Sequence, residues 1–288
     1  ELLKKLNRIG TPLSNYAERK IYRGIVTGLN DAFVIDAQTR ERLISEDARS
    51  SDIIKPFLVG KDVKRYKNLQ STKYLIFTRR GTDIDKYPAV KRHLLKYKDR
   101  LMPKPPDWKG TRWTGRKPGT YKWYEIQDTI EYYEQFDMPK IIYPNICKGP
   151  EYTFDTNGFY TNQKCFIISI PDKYLLGLLN SSLTKFLYES ILPKLRGGFF
   201  EPGYVFVKDF SIRTIDFDNQ HDKAVHTKMV GLVDRMLDLY KQLDDAKIPD
   251  EKTRIHRQID ATNKQIDKLV YDLYSLTDEE IAIVENRN

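Results

Sequence analysis

The chain has no apolar run near the roughly 20 residues that span a bilayer, and no signal-peptide pattern at its start. Both absences point away from a membrane protein. Cysteine is nearly missing: Cys147 and Cys165 are the two present, each in or beside an apolar segment. That usage excludes a disulfide scaffold and favours buried free thiols in a reducing, cytoplasmic compartment. The four histidines, His93, His221, His226 and His256, are scattered. His221 and His226 are spaced so that one helical face would not present both to a metal. No glycine-rich phosphate loop and no dinucleotide fingerprint occurs. A Mg²⁺ nuclease needs clustered carboxylates with a lysine. Glu18-Arg19-Lys20 has no Asp before it, and Asp250-Glu251-Lys252 is compressed at a helix start. An amino-group methyltransferase needs paired prolines in its catalytic motif, which Tyr143-Pro144-Asn145 lacks. No catalytic centre is visible, no cofactor or metal site is expected in this stretch, and the start at Glu1 without Met suggests a piece of something longer.

What is present is concentrated positive charge. Lys55 to Lys122 holds 20 Lys or Arg against 5 Asp or Glu, a local +15 in a chain of net +9. Aromatics are interleaved with it: Tyr66, Tyr74, Tyr87, Tyr97, Trp108, Trp113, Tyr121 and Trp123. Cations neutralise phosphates and rings stack on bases, so the pattern points to nucleic acid, with a solvated basic face as the alternative.

Periodicity predicts an α+β chain with about two domains' worth of length. Residues 1–20 form a connecting helix stopped by Gly10-Thr11-Pro12. Residues 21–215 alternate short strands and helices, and 216–288 form a long α-helical hairpin broken at Ile248-Pro249-Asp250. Such a polar pair of helices suits a spacer or an arm for pairing with a second copy. Gly28-Leu29-Asn30-Asp31 suggests a hairpin between Ile21–Thr27 and Ala32–Asp36, and Asn157-Gly158 suggests another. Val90 to Leu101 has helical spacing. Met102 to Tyr121 is too rich in Pro and Gly for a regular element and is expected to be a long surface loop. Thr277-Asp278-Glu279-Glu280 has the capping-box form and starts a last short helix.

The order of segments resembles one family. Gly24-Ile-Val-Thr-Gly-Leu-Asn-Asp-Ala-Phe33, Ile54-Lys-Pro-Phe-Leu-Val-Gly-Lys-Asp-Val-Lys-Arg-Tyr66 and Pro139-Lys-Ile-Ile-Tyr-Pro144 are similar to the TaqI-like C-terminal specificity domain. So are Leu178-Leu-Asn-Ser-Ser-Leu183, Leu195-Arg-Gly-Gly198 and the tail from Lys264 to Ile281. That domain is the target-recognition part of type IIG restriction-modification enzymes and related adenine-specific DNA methyltransferases. The resemblance implies double-stranded DNA as partner and a longer prokaryotic parent. That parent would carry an N-terminal methyltransferase using S-adenosylmethionine and, where a nuclease is attached, Mg²⁺. Most of the quoted motifs suit scaffold, with Gly24, Gly28 and Asn30 fitting a turn that needs positive φ.

Arginine is the side chain best shaped for guanine, which makes Arg79, Arg80, Arg112, Arg116 and Arg196 the candidate base readers. Lys61, Lys64, Lys67, Lys104, Lys109 and Lys117 are candidate phosphate anchors. Gly197-Gly198 would let backbone approach DNA closely, or act as a loop hinge. Trp108, Trp113 and Trp123 are candidates to wedge or stack near a flipped base, against the alternative of packing under their own loop. A divergent metal-dependent nuclease and an RNA-binding or assembly module are the competing functions.

Overall fold

The computed structural model describes residues 1–285 of the 288, so the end of the helical arm at 286–288 lies outside the described residues. Two four-stranded sheets carry the α+β part. The first runs Ile21–Arg23, Cys165–Ile168, Lys140–Pro144, Thr153–Asp155, all antiparallel. The second runs Val34–Asp36, Lys73–Ile76, Ile54–Leu58, Tyr160–Thr161, with the last pair parallel. Lys140–Pro144 is buried throughout, as expected of a central strand with apolar Ile141, Ile142 and Tyr143.

Both hairpins expected from turn residues are replaced by crossings between sheets. Ile21–Arg23 and Val34–Asp36 belong to different sheets, and Asn30–Phe33 between them is a helical turn. Gly28 does have positive φ (83°), but Gly24 is required for another reason. A Cβ there would stand 2.0 Å from the Asn162 carbonyl oxygen, where the backbones touch. Thr153–Asp155 and Tyr160–Thr161 are likewise split between sheets. Gly158 adopts φ 68°, so its turn chemistry is real, yet it redirects the chain rather than folding it back. Turn-type residues encode a local reversal; which partner strand receives the chain is decided by distant apolar faces.

Helix starts follow the sequence closely. Asp172 and Ser181 cap Lys173–Leu179 and Ser182–Ile191 through Leu175 N and Thr184 N, and Asn219 caps Gln220–Asp245. Thr277 and Glu280 exchange the reciprocal capping-box bonds. The segment expected as one helix to Leu101 is two, Pro88–Leu95 and Lys98–Leu101.

Two hydrophobic cores result. One joins Leu6, Tyr143, Leu176 and Phe210 to Met229, Val233, Ile259 and Ile266 of the long helices Gln220–Asp245 and Pro249–Leu273. The inner face of that hairpin therefore packs on the chain's own sheet and helices. Gly177 permits this, since a Cβ would meet Met229 Sδ at 2.6 Å. The other core gathers Phe33, Phe57, Leu75, Val90, Ile126 and Phe136 under the second sheet. Cys147 and Cys165 are buried and free, and burial pushes each thiol up to about 12, so both pack as apolar groups. No helix among the described residues is long and apolar enough to cross a membrane.

His93 is buried in the second core, with a ring nitrogen 3.2 Å from the Ala32 carbonyl oxygen. Burial lowers its pKa from the ordinary 6.5. The folded state thus favours the neutral ring, so its contribution is complete above about pH 6.5 and is lost as pH falls from there through the lowered folded value. Melting curves across this window should decline by at most about 1.4 kcal/mol per pH unit on account of this group. His93→Gln should flatten that part of the decline; an unchanged pH profile would assign it to other groups.

Candidate nucleic-acid interface

The Pro- and Gly-rich loop is irregular, as expected, but it is braced from within. Pro103 and Arg116 form an isolated parallel bridge, with Arg116 N donating to Met102 O and Lys104 N to Arg116 O. The Arg116 side chain is only 4% exposed. It donates to the carbonyl oxygens of Leu101, Thr27, Glu125, Lys122 and Trp123 at 2.7 to 3.2 Å, and lies over the Tyr121 ring at 4.3 Å. Burial pushes its pKa down to about 10, which leaves it charged at neutral pH. Arg116 is therefore corrected from base reader to brace: its donor fork is spent on carbonyls that no strand or helix satisfies.

Arg80 is half-buried and plays a related part. Its terminal nitrogens donate to Ile126 O and Gln127 O, and its guanidinium lies 5.1 Å from the Tyr121 ring centre. Glu125, itself buried, accepts from Gly81 N at 3.0 Å and Lys122 N at 2.9 Å. The C-terminal end of the loop is thus tied to the segment that carries Arg79 and Arg80.

Outside this base the loop presents its charge. Lys109, Arg112 and Lys117 are exposed, and Lys104 is half-buried. None of these four side chains has an ion pair or side-chain hydrogen bond among the described residues. Trp108 is 39% exposed and meets Trp113 edge-on at 4.9 Å. Trp113 donates its indole N–H to Met102 O at 3.3 Å, and Trp123 packs edge-on against Tyr124 beneath Lys98. The latter two rings hold the loop's shape, leaving Trp108 as the outermost.

Arg79 is exposed at the rim of a cavity of about 360 Å³ and lies over the Tyr133 ring at 4.4 Å. Lys55 Nζ lies 5.9 Å from the Tyr160 ring centre in the same cavity, whose other walls include Phe77 and Asp137. Stacking on Tyr133 orients the Arg79 fork while leaving its donors unbonded among the described residues. The sequence offered no sign that Tyr133, on a short 3-10 helix, and Tyr160, on a strand, would meet Arg79, because all three are far apart along the chain.

The remaining candidates lie on other elements. Lys64 is paired with Glu151 at 2.9 Å. Lys61 is exposed next to Gly60, whose backbone packs on Lys164. Lys67 faces the long helix, lining a cavity with Leu237, Asp238 and Lys241. Arg196 is exposed at the turn between two-residue strands Lys194–Leu195 and Phe199–Phe200. Gly197 and Gly198 both have positive φ there (78° and 74°), so the pair is needed by the turn itself. No group of His, Cys, Asp and Glu among the described residues could hold a metal ion. Glu18 is instead paired with Lys20, and Asp250 sits in the first turn of a helix.

The α+β body thus carries a braced, basic, aromatic loop beside a cleft rimmed by Arg79. The chain is a member of the TaqI-like C-terminal specificity domain family, whose model matches residues 55–205. Among curated relatives, the type II methyltransferase M.MjaIV of Methanocaldococcus jannaschii is 25% identical over 183 residues, covering 59% of this chain and 56% of that protein. Among solved structures, the type IIL restriction-modification enzyme MmeI in complex with DNA has the same fold, with a TM-score of 0.62 at 14% identity. That match covers 93% of this chain and 35% of MmeI. The chain thus spans about half of the first relative and about a third of the second.

Proposed function

We propose that this chain selects the DNA sequence on which a longer restriction-modification protein acts, by gripping double-stranded DNA with the Met102–Trp123 loop and the Arg79 cleft. The observation that carries this is the set of cations, unpaired among the described residues, on a loop whose own buried Arg116 fixes its shape. A loop already ordered loses little entropy on binding, and its unpaired donors need no internal bond broken. Arg79 and Arg112 are the base readers; Lys104, Lys109 and Lys117 position the duplex through phosphates. Trp108 is the ring available for stacking. Arg80 supports them through Glu125 and the 126–127 carbonyls.

Methyl transfer would be the task of a methyltransferase domain of the same parent, which would supply the S-adenosylmethionine site, and any Mg²⁺ would belong to an attached nuclease. Recognition is assigned to residues 21–215 and an arm role to the hairpin from 216 onward. The inner face of that arm is occupied by its own core, so pairing of two copies would use its polar outer face and Ile248 at the turn. The cell interior of a prokaryote is the compartment this function implies.

Arg112→Ala should cost roughly 1–3 kcal/mol on the selected site and relax one base position. Lys117→Ala should weaken binding to every sequence alike and reduce the salt slope by about one. Equal losses on selected and random duplexes for both Arg79→Ala and Arg112→Ala would remove the base-reading assignment.

A further inference from the structure

Exposed apolar side chains are gathered at one place that the loop and the cleft do not use. The strands Lys194–Leu195 and Phe199–Phe200 pair with Leu195 opposite Phe199 and Lys194 opposite Phe200. Phe200 in turn faces Cys147 across a second antiparallel bridge. Residues directly opposite one another share a face, and alternate residues point to opposite faces. Phe200 and Cys147 are buried and so mark the inner face. The outer face then carries Leu195, Phe199, Lys148 and Ile146.

Exposure agrees with that register. Leu195 is 38% exposed, Ile146 43%, and Lys148 lies over the Phe199 ring at 5.3 Å. The Phe199 ring reaches forward over the turn, since a Cβ on Gly197 would touch it at 3.4 Å. At the turn, Arg196 is exposed and has no partner among the described residues. Thus an apolar strip ends in a narrow tip of two glycines, rimmed by Lys148 and Arg196. A surface built only for a protein partner's apolar face would be handicapped by two cations on its rim. A duplex offers what both parts require, with phosphates for the cations and base faces for the rings.

We propose that this hairpin is a second DNA contact, in which Leu195 and Phe199 press into a base step while Arg196 and Lys148 hold the flanking phosphates. Gly197 and Gly198 keep the turn slim enough to enter a groove. The contact reads deformability rather than base edges, because apolar side chains favour steps that unstack easily. It rests on the DNA-binding reading above and adds a site to it.

The experiment starts with the 288-residue chain and a pool of randomised duplexes, from which the bound fraction is enriched. In an enriched duplex, 2-aminopurine replaces each purine in turn, and its fluorescence reports unstacking. Binding of the wild-type chain should brighten one step. Leu195→Ser/Phe199→Ser should still bind, roughly tenfold more weakly, as expected for the loss of one groove contact, and should abolish the brightening. Leu195→Ser alone gives the same readout should the double variant melt early. Arg196→Gln should weaken binding to all duplexes and lower the salt slope by about one.

Brightening that survives in Leu195→Ser/Phe199→Ser, or that no position shows on wild-type binding, overturns the proposal. Loss of self-association in that variant with unchanged DNA distortion also overturns it and gives the strip to a second copy. Failure of the wild-type chain to enrich any duplex would sink the DNA-binding reading itself before any variant is made, and the hairpin contact with it.

Discussion

Arg116→Ala is expected to lower stability by about 3–5 kcal/mol and to loosen the basic loop as a whole. Thr27 O and Lys122 O would keep a partner, since Gln127 N and Glu125 N also donate to them. The Leu101, Trp123 and Glu125 carbonyls depend on the guanidinium among the bonds described. Each loses its donor, those of Leu101 and Glu125 in buried surroundings, and the space under Tyr121 empties as well. Arg116→Lys should recover little, because one ammonium cannot serve carbonyls spread around a planar fork. Thermal melting gives the loss of stability, and limited proteolysis should show new cuts between 102 and 123. DNA affinity should fall on all sequences alike, as the whole loop loses its shape. A variant that melts like the wild type yet no longer discriminates between sequences would return Arg116 to the base readers.

That reversal of role shows where sequence reading stops. Composition alone located the basic loop, because Pro and Gly exclude regular elements whatever surrounds them. The capping box at Thr277 was legible because its side chain bonds to backbone a few residues away. Two of the motif segments quoted for the family, the one ending at Tyr66 and the one from Leu178 to Leu183, meet in space. Arg65 donates to Asn180 O from two nitrogens, while Asn180 exchanges bonds with the Tyr152 backbone. Strand partners were not legible. Asn157-Gly158 has the residues of a hairpin, but Tyr160 pairs with Phe57 in the other sheet. Nor can spacing separate Arg112 from Arg116. They stand four residues apart in one irregular loop, and the carbonyls of Leu101 and Thr27, brought from elsewhere, distinguish the buried fork from the free one.

The junction between the sheets suggests the second large effect. Lys140 and Asp155 are fully buried and form an ion pair at 2.5 Å. Lys140 also donates to the Phe136 and Met138 carbonyls, while Asp155 accepts from Asn157 N and Phe159 N. The carboxylate thus shapes the turn by which the chain leaves the first sheet for the second, and the lysine ties that turn to a central strand. Burial draws the Lys140 pKa below its ordinary range, and the charge on Asp155 opposes that shift. Lys140→Met would fill similar space but leave a carboxylate buried without its counter-ion, so a loss of about 3–5 kcal/mol is expected. At roughly 2 °C per kcal/mol, the melting temperature should fall by about 6–10 °C. Adding Asp155→Asn to Lys140→Met removes the stranded charge and should recover part of that loss, since one amide oxygen can still accept a turn N–H. A double-mutant cycle with no coupling between the positions would mean that the two groups are held independently. The turn would then owe its course to Gly158 and the parallel pairing of Tyr160 rather than to the pair.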